Sequence, residues 1–158
     1  MELDERIYKE KVISFKKGLP GLENLHEYVL LTPDDLYPIY ILQSVKEPGI
    51  LLPVINPFDI DENYKAPIGK RDFEELNIAE DDDVLILNVA VIPSDIHKMT
   101  VNLAAPIVIN TKTLVGKQVI PDGTSYSIRE PLYQAYIKLR NGGEDSCSCC
   151  PERKVNIS

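Results

Sequence analysis

The chain has no tryptophan, only three phenylalanines and only two histidines among its 158 residues. His26 and His97 each stand in a polar setting, and neither belongs to a motif with a serine or cysteine nucleophile. The Gly-x-Ser-x-Gly pattern, which exposes a serine at a sharp strand-to-helix turn, does not occur. The glycines are scattered, and Gly116-Lys117-Gln118 lacks the upstream glycines of a loop that cradles phosphate. No matched set of acid, base and electrophile emerges, so the chain is expected not to be an enzyme and to need no cofactor. No apolar run reaches the roughly 18 residues that a membrane span requires. The opening Met1-Glu2-Leu3-Asp4-Glu5 carries no basic and apolar export signal, which makes a cytoplasmic protein the expectation.

Metal chemistry is equally thin. Cys147, Cys149 and Cys150 crowd together near the C-terminus. They lack the fourth ligand and the paired spacing that let a chain wrap a tetrahedral zinc ion. Asp59, Asp61 and Asn63 imitate the start of a calcium loop, but Tyr64 stands where that loop needs glycine and Lys70 where it needs glutamate. The run Glu80-Asp81-Asp82-Asp83 reads as a solvated loop ahead of a strand.

Basic charge is also in short supply. Seventeen Lys and Arg against 25 Asp and Glu leave a net charge of −8. Phosphate contacts need clustered cations, so direct nucleic-acid binding is not expected. The same charge favours solubility, and it steers association with a basic partner.

What the chain does have is β-forming sequence punctuated by turns. Ile7–Phe15, Tyr28–Leu31, Pro38–Val45 and Ile50–Asn56 read as strands. Gly18-Leu19-Pro20-Gly21-Leu22 is a turn, because its glycines tolerate positive φ and Pro20 presets its own. The interval from Pro57 to Gly69 reads as irregular. Asp72 and Glu75 suggest a capping box for a short helix with Phe73 and Leu76 on one side. Val84–Ile92 is apolar at nearly every position, which predicts a strand covered on both faces. Met99–Leu103, Pro106–Thr111 and Leu114–Ile120 follow as antiparallel strands, and Pro121-Asp122-Gly123 reads as a hairpin turn before Ser125–Ile128. Leu132, Tyr136 and Leu139 have helical spacing, with Asn141-Gly142-Gly143 as the stop.

These elements predict a mainly β single domain, either an antiparallel barrel or a compact sandwich, with one or two short helices. The domain is expected to span residues 1–140, and residues 141–158 form a flexible Cys-containing tail.

The most distinctive stretch is Thr100–Gln118, rich in amides and apolar groups. Gln43, Asn56, Asn102, Asn110 and Gln118 either close turns or form a polar rim around apolar anchors. The residues selected as candidate protein contacts are Asn102, Leu103, Pro106, Asn110 and Gln118, with Phe58 and Tyr64 as aromatic anchors.

Several blocks in order carry a resemblance. They are Phe15 with Gly18-Leu19-Pro20-Gly21-Leu22, Leu42-Gln43-Ser44, Asn56-Pro57-Phe58, Thr100-x-Asn102-Leu103-x-Ala105-Pro106-x-x-Ile109-Asn110, Gly116-Lys117-Gln118, and Tyr126-x-x-Arg129-x-Pro131-Leu132. Together they resemble the FliW family of flagellar assembly factors over about Ile7 to Leu132. The resemblance implies a barrel-like, non-enzymatic cytoplasmic protein with two protein partners. One is flagellin before secretion. The other is CsrA, an RNA-binding translational repressor of flagellin mRNA; the resemblance implies that FliW-like proteins sequester it allosterically, bound away from its RNA cleft and not replacing the RNA directly. The alternative within the same resemblance is a secretion chaperone for flagellin with no role in translational control.

Overall fold

The computed structural model describes residues 12–147. Nine strands form: β1 (Val12–Phe15), β2 (Glu27–Leu31), β3 (Ile39–Ser44), β4 (Leu51–Ile55), β5 (Val84–Val91), β6 (Thr100–Val101), β7 (Ile107–Asn110), β8 (Val115–Gln118) and β9 (Glu130–Pro131). Three α-helices accompany them among these residues: α1 (Pro57–Ile60), α2 (Lys70–Glu75) and α3 (Tyr133–Cys147). Pairing runs β1–β2–β3–β4–β5–β7–β8, and β8 returns to β1, so seven strands close a barrel. β6 and β9 branch from the far end of β5 as a small flap.

The closing pair departs from the antiparallel expectation. β1 and β8 run parallel, with Ser14 opposite Val115 and Phe15 opposite Gly116. Every other strand pairing among the described residues is antiparallel.

β5 explains itself once the layers are in place. Leu85, Leu87 and Val89 point into the barrel beside Phe15, Tyr28, Leu42, Ile107 and Ile109. Val84 and Ile86 face outward under Leu76, Phe73 and Ile78. Ala90 joins a third cluster with Tyr64, Met99, Val101, Leu103 and Leu132, covered by α1 and α3. A strand covered on both faces has no place for alternating polar residues. Each fully buried aliphatic side chain contributes about 1.5–3 kcal/mol.

Several local expectations change. β1 begins at Val12 among the described residues, and Ile7 to Lys11 lie outside them. The cap of α2 is Gly69, and Asp72 sits three residues into the structure, its Oδ2 accepting from the Gly69 N–H at 2.9 Å. The segment after Pro57 contains the single turn of α1, capped by Asn56, whose Oδ1 accepts from the Phe58 N–H. Only Thr100 and Val101 of Met99–Leu103 pair as strand. Ser125–Ile128 is not a strand; the Ser127 carbonyl accepts one hydrogen bond from Leu103 N–H, and Tyr126 turns inward instead. α3 continues through Asn141-Gly142-Gly143 to Cys147. Glycine weakens a helix by about 1 kcal/mol without removing its backbone donor, so it does not by itself end one. Residues 148–158 of the expected tail, with Cys149 and Cys150, lie outside the described residues.

α2 is too short to stand alone, and a clamp holds it. Lys117 on β8 donates to Asp72 Oδ1 at 2.8 Å and to Glu75 Oε1 at 2.7 Å. Burial works to raise the Asp72 carboxyl, but the Lys117 hydrogen bond and charge and the Gly69 N–H together hold it below its usual range. The Lys117 hydrogen bond also lowers Glu75. Lys117 itself loses by burial, and the two carboxylates more than offset this by raising it. Depressed carboxyls add stability that is present above their unfolded values and lost as pH falls through the folded ones. Lys117→Met is therefore expected to lower the melting temperature at neutral pH, with a deficit that shrinks on acidification through the carboxylate range. A deficit constant with pH would assign the effect to the packing of the lysine stem.

Candidate functional site: an apolar groove over the barrel core

β4 and β5 pair at Ile55↔Asn88 and Val54↔Val89, and the pairing then stops. Pro53 supplies the reason. Ser44 N–H donates to Ile50 O, and bonding sides alternate along an antiparallel ladder, so the Pro53 nitrogen faces β5. A proline has no N–H to offer there. Beyond Val89, β5 keeps a partner only on its other edge, where β6 continues the side taken by β7: Asn102 N–H donates to Val89 O, and Ala90↔Val101 and Val91↔Thr100 pair.

The parted strands expose a groove of about 230 Å³ that opens onto the barrel core. Leu52 and Val89 form its sides, and Leu19, Pro20 and Leu22 of the β1–β2 loop form another wall. Val91, Asn102, Gln118, Ile128 and Arg129 complete it. The loop is held by Gly18 at φ +67° and Gly21 at φ +84°. A side chain at Gly18 would meet the Glu23 Cα at 2.7 Å, so this position requires glycine. Val91 and Ile128 stand 60% and 66% exposed on the groove, although both are large and apolar. An exposed apolar rim beside a guanidinium and two amides is the chemistry of a protein contact.

The selected residues divide. Asn102 and Gln118 do line the groove. Both also hold the loop between β6 and β7: Asn102 Oδ1 accepts from the N–H groups of Ala104 and Ala105, and Gln118 Nε2 donates to Ala105 O. Leu103 and Pro106 are buried. The Leu103 carbonyl accepts from the Tyr64 hydroxyl at 2.7 Å, and the Pro106 carbonyl accepts from Val119 N–H. Asn110 is buried at the far end of β7, where Nδ2 donates to Leu76 O.

Tyr64 meets Phe58 edge-on, with ring centroids 5.9 Å apart, and lies tilted against Tyr126 at 4.7 Å, in the cluster under α1 and α3. Burial pushes the Tyr64 hydroxyl up to about 12, partly offset by the hydrogen bond from Asn88. These aromatics sit in packing rather than on a rim. Sequence reasoning missed Val91, Ile128, Leu52 and Arg129 as groove residues. The signal for Val91 was the apolar run continuing past the point where β5 stops being covered.

Among the described residues no cluster of His, Cys, Asp or Glu has the arrangement of a metal site. Asp61 Oδ1 instead closes a turn on Asn63 N–H. Likewise, no described helix is long and apolar enough to cross a membrane.

Comparison with known proteins agrees with this architecture. Residues 4–132 match the family described as FliW protein. A flagellar assembly factor FliW from Clostridium tetani is 37% identical over 128 residues, covering 80% of this chain and 88% of that protein. One from Clostridium kluyveri is 36% identical over 141 residues, covering 89% and 92%. The crystal structure of a flagellar assembly factor FliW superimposes with a TM-score of 0.72 at 32% identity, covering 84% of this chain and 89% of that one. By match, identity and fold together, the chain belongs to the FliW family of flagellar assembly factors.

Proposed function

We propose that this protein is a partner-switching regulator, which binds cytoplasmic flagellin and a CsrA-type RNA-binding repressor and thereby relieves repression of flagellin translation. The observation that carries the reading is the barrel groove. Four separated blocks of the family pattern meet there, through Leu19-Pro20 with Leu22, Asn102, Gln118 and Arg129, beside the exposed Val91 and Ile128. A net charge of −8 supports a basic partner through steering and complementary potential. Exchange of partners by mass action needs binding surfaces and no catalytic group. Flagellin and the repressor must then compete, or be negatively coupled, on this protein.

The test is a titration of the CsrA–RNA complex with this protein, with and without flagellin. Release of RNA by the protein, suppressed by added flagellin, is the expected result. An intact complex at excess protein, with flagellin still captured, leaves the chaperone reading in its place. Val91→Asp and Ile128→Asp change exposed side chains, so the fold should survive. Each is expected to weaken partner binding by about 2 kcal/mol. Unchanged affinity for both partners in both variants would remove the groove from the interface.

A further inference from the structure

A second groove, of about 690 Å³, lies on the opposite side of α2 from the Lys117 clamp, between that helix, the following loop and the start of β5. Its floor is apolar: Phe73, Ile78, Ala79 and Val84. Phe73 and Ile78 are only half-buried there, against a core of Leu76, Val84 and Ile86. Its rim is acidic, formed by Glu74, Glu80 and Asp82, with Lys70 as the lone cation in the lining.

The carboxylates of this region are unequally committed. Asp72 and Glu75 are both paired with the single Lys117, and Asp82 is paired with Lys112 at 2.8 Å. Glu74 and Glu80 are exposed, and neither forms an ion pair among the described residues. Asp81 and Asp83, also exposed, extend the negative face along the loop. A trough with an apolar floor and unneutralised acidic walls selects an occupant with the opposite pattern.

We infer that this groove docks a short cationic, amphipathic segment of a partner protein, with its apolar side chains on Phe73, Ile78 and Val84 and its Lys or Arg side chains on Glu74 and Glu80. The surface is separate from the barrel groove, so either can fail without the other. The floor gives affinity by desolvating apolar groups, and the walls give sign selectivity. An anionic segment of the same apolar pattern would face like charges on both sides. An uncharged apolar molecule would gain nothing from the rim.

The probe is a fluorescein-labelled peptide of leucines and lysines at helical spacing, followed by fluorescence anisotropy against the full chain. Two comparison peptides are its scrambled-order version and its leucine–glutamate counterpart. The Leu/Lys peptide is expected to bind, more weakly as salt rises, and to bind at least tenfold more tightly than either comparison peptide. The double variant Glu74→Lys with Glu80→Lys should weaken it about tenfold or more. Asp34→Lys with Asp35→Lys, which reverses an exposed acidic pair elsewhere, should leave it unchanged. Equal losses in the two double variants would mean that net charge alone attracts the peptide, and the proposal fails. It also fails if the scrambled or leucine–glutamate peptide binds as tightly. Because Glu74 and Glu80 are exposed, circular dichroism of the variants should be unchanged, which separates lost binding from lost fold.

Discussion

Gly116→Ala is expected to destabilise the barrel by about 3 kcal/mol, the upper end of what one overpacked methyl costs. The added Cβ would stand 2.8 Å from Ile109 Cγ1, 2.8 Å from the Val108 carbonyl oxygen and 2.9 Å from Phe15 Cε1. The carbonyl cannot move aside as a flexible side chain can. Nor can the strand retreat, because β8 is held on one edge by β7 and on the other by the parallel partner β1. Glycine is therefore what allows the barrel wall to close over Phe15. Gly123→Ala is the matched comparison, since nothing lies within 4 Å of its added Cβ. Chemical denaturation of both variants should show a large loss for the first and little change for the second. Equal behaviour would mean that the closing strands yield more freely than their hydrogen bonding implies.

Asn110→Ala is expected to cost a similar amount, about 3 kcal/mol, by a different route. Its Nδ2 donates to Leu76 O at 2.9 Å, tying β7 to the end of α2. Its Oδ1 accepts from Lys112 N–H at 2.8 Å and Thr113 N–H at 3.3 Å, shaping the turn into β8. That turn includes Leu114 at φ +58°, a left-handed conformation that a leucine adopts only when its surroundings impose it. Removing the amide leaves a buried carbonyl without its donor and releases the turn at once. The informative readout pairs denaturation with partner binding under conditions where the variant is folded. Lost stability with unchanged affinity is the expected combination; lost affinity with unchanged stability would return Asn110 to a contacting role.

The contrast between Asn110 and Gln118 marks how far the sequence could be read. Both are amides in one short segment, and both hold backbone groups. Only Gln118 also lies on a groove. What distinguishes them is which end of the barrel each strand end reaches, and that depends on register. Local signals were legible where local physics decides: Gly18 and Gly21 in left-handed turns, the doubly covered β5, and strands β2, β3, β4, β7 and β8 near their observed limits. The cap of α2 shifted to Gly69 because Asp72 works equally well three residues in, reaching back to the N–H it protects. The parallel closure was not legible, because nothing within β1 or β8 records which strand the other will meet. Pro53 carried the clue to the groove, yet its meaning depends on which neighbour its nitrogen faces. Tyr64 looked like an anchor because an aromatic in a loop has no visible partner; its partners, Leu103 and Tyr126, come from distant segments.

The β1–β8 pairing has a consequence for how the molecule comes into being. A chain leaving the ribosome N-terminus first can lay β1 against β2, β3 and β4 as a meander of near neighbours. The free edge of β1 must nevertheless wait for Val115 and Gly116. Closing so long a loop carries an entropic cost before any contact repays it, which places wall closure late. Until then the nascent sheet carries bare edges open to wrong pairing. The barrel groove also arrives last, since Gln118, Ile128 and Arg129 are the final residues to reach it. An unfinished chain thus has no completed groove to offer, and the contact proposed for it would become possible only when synthesis of the barrel is finished.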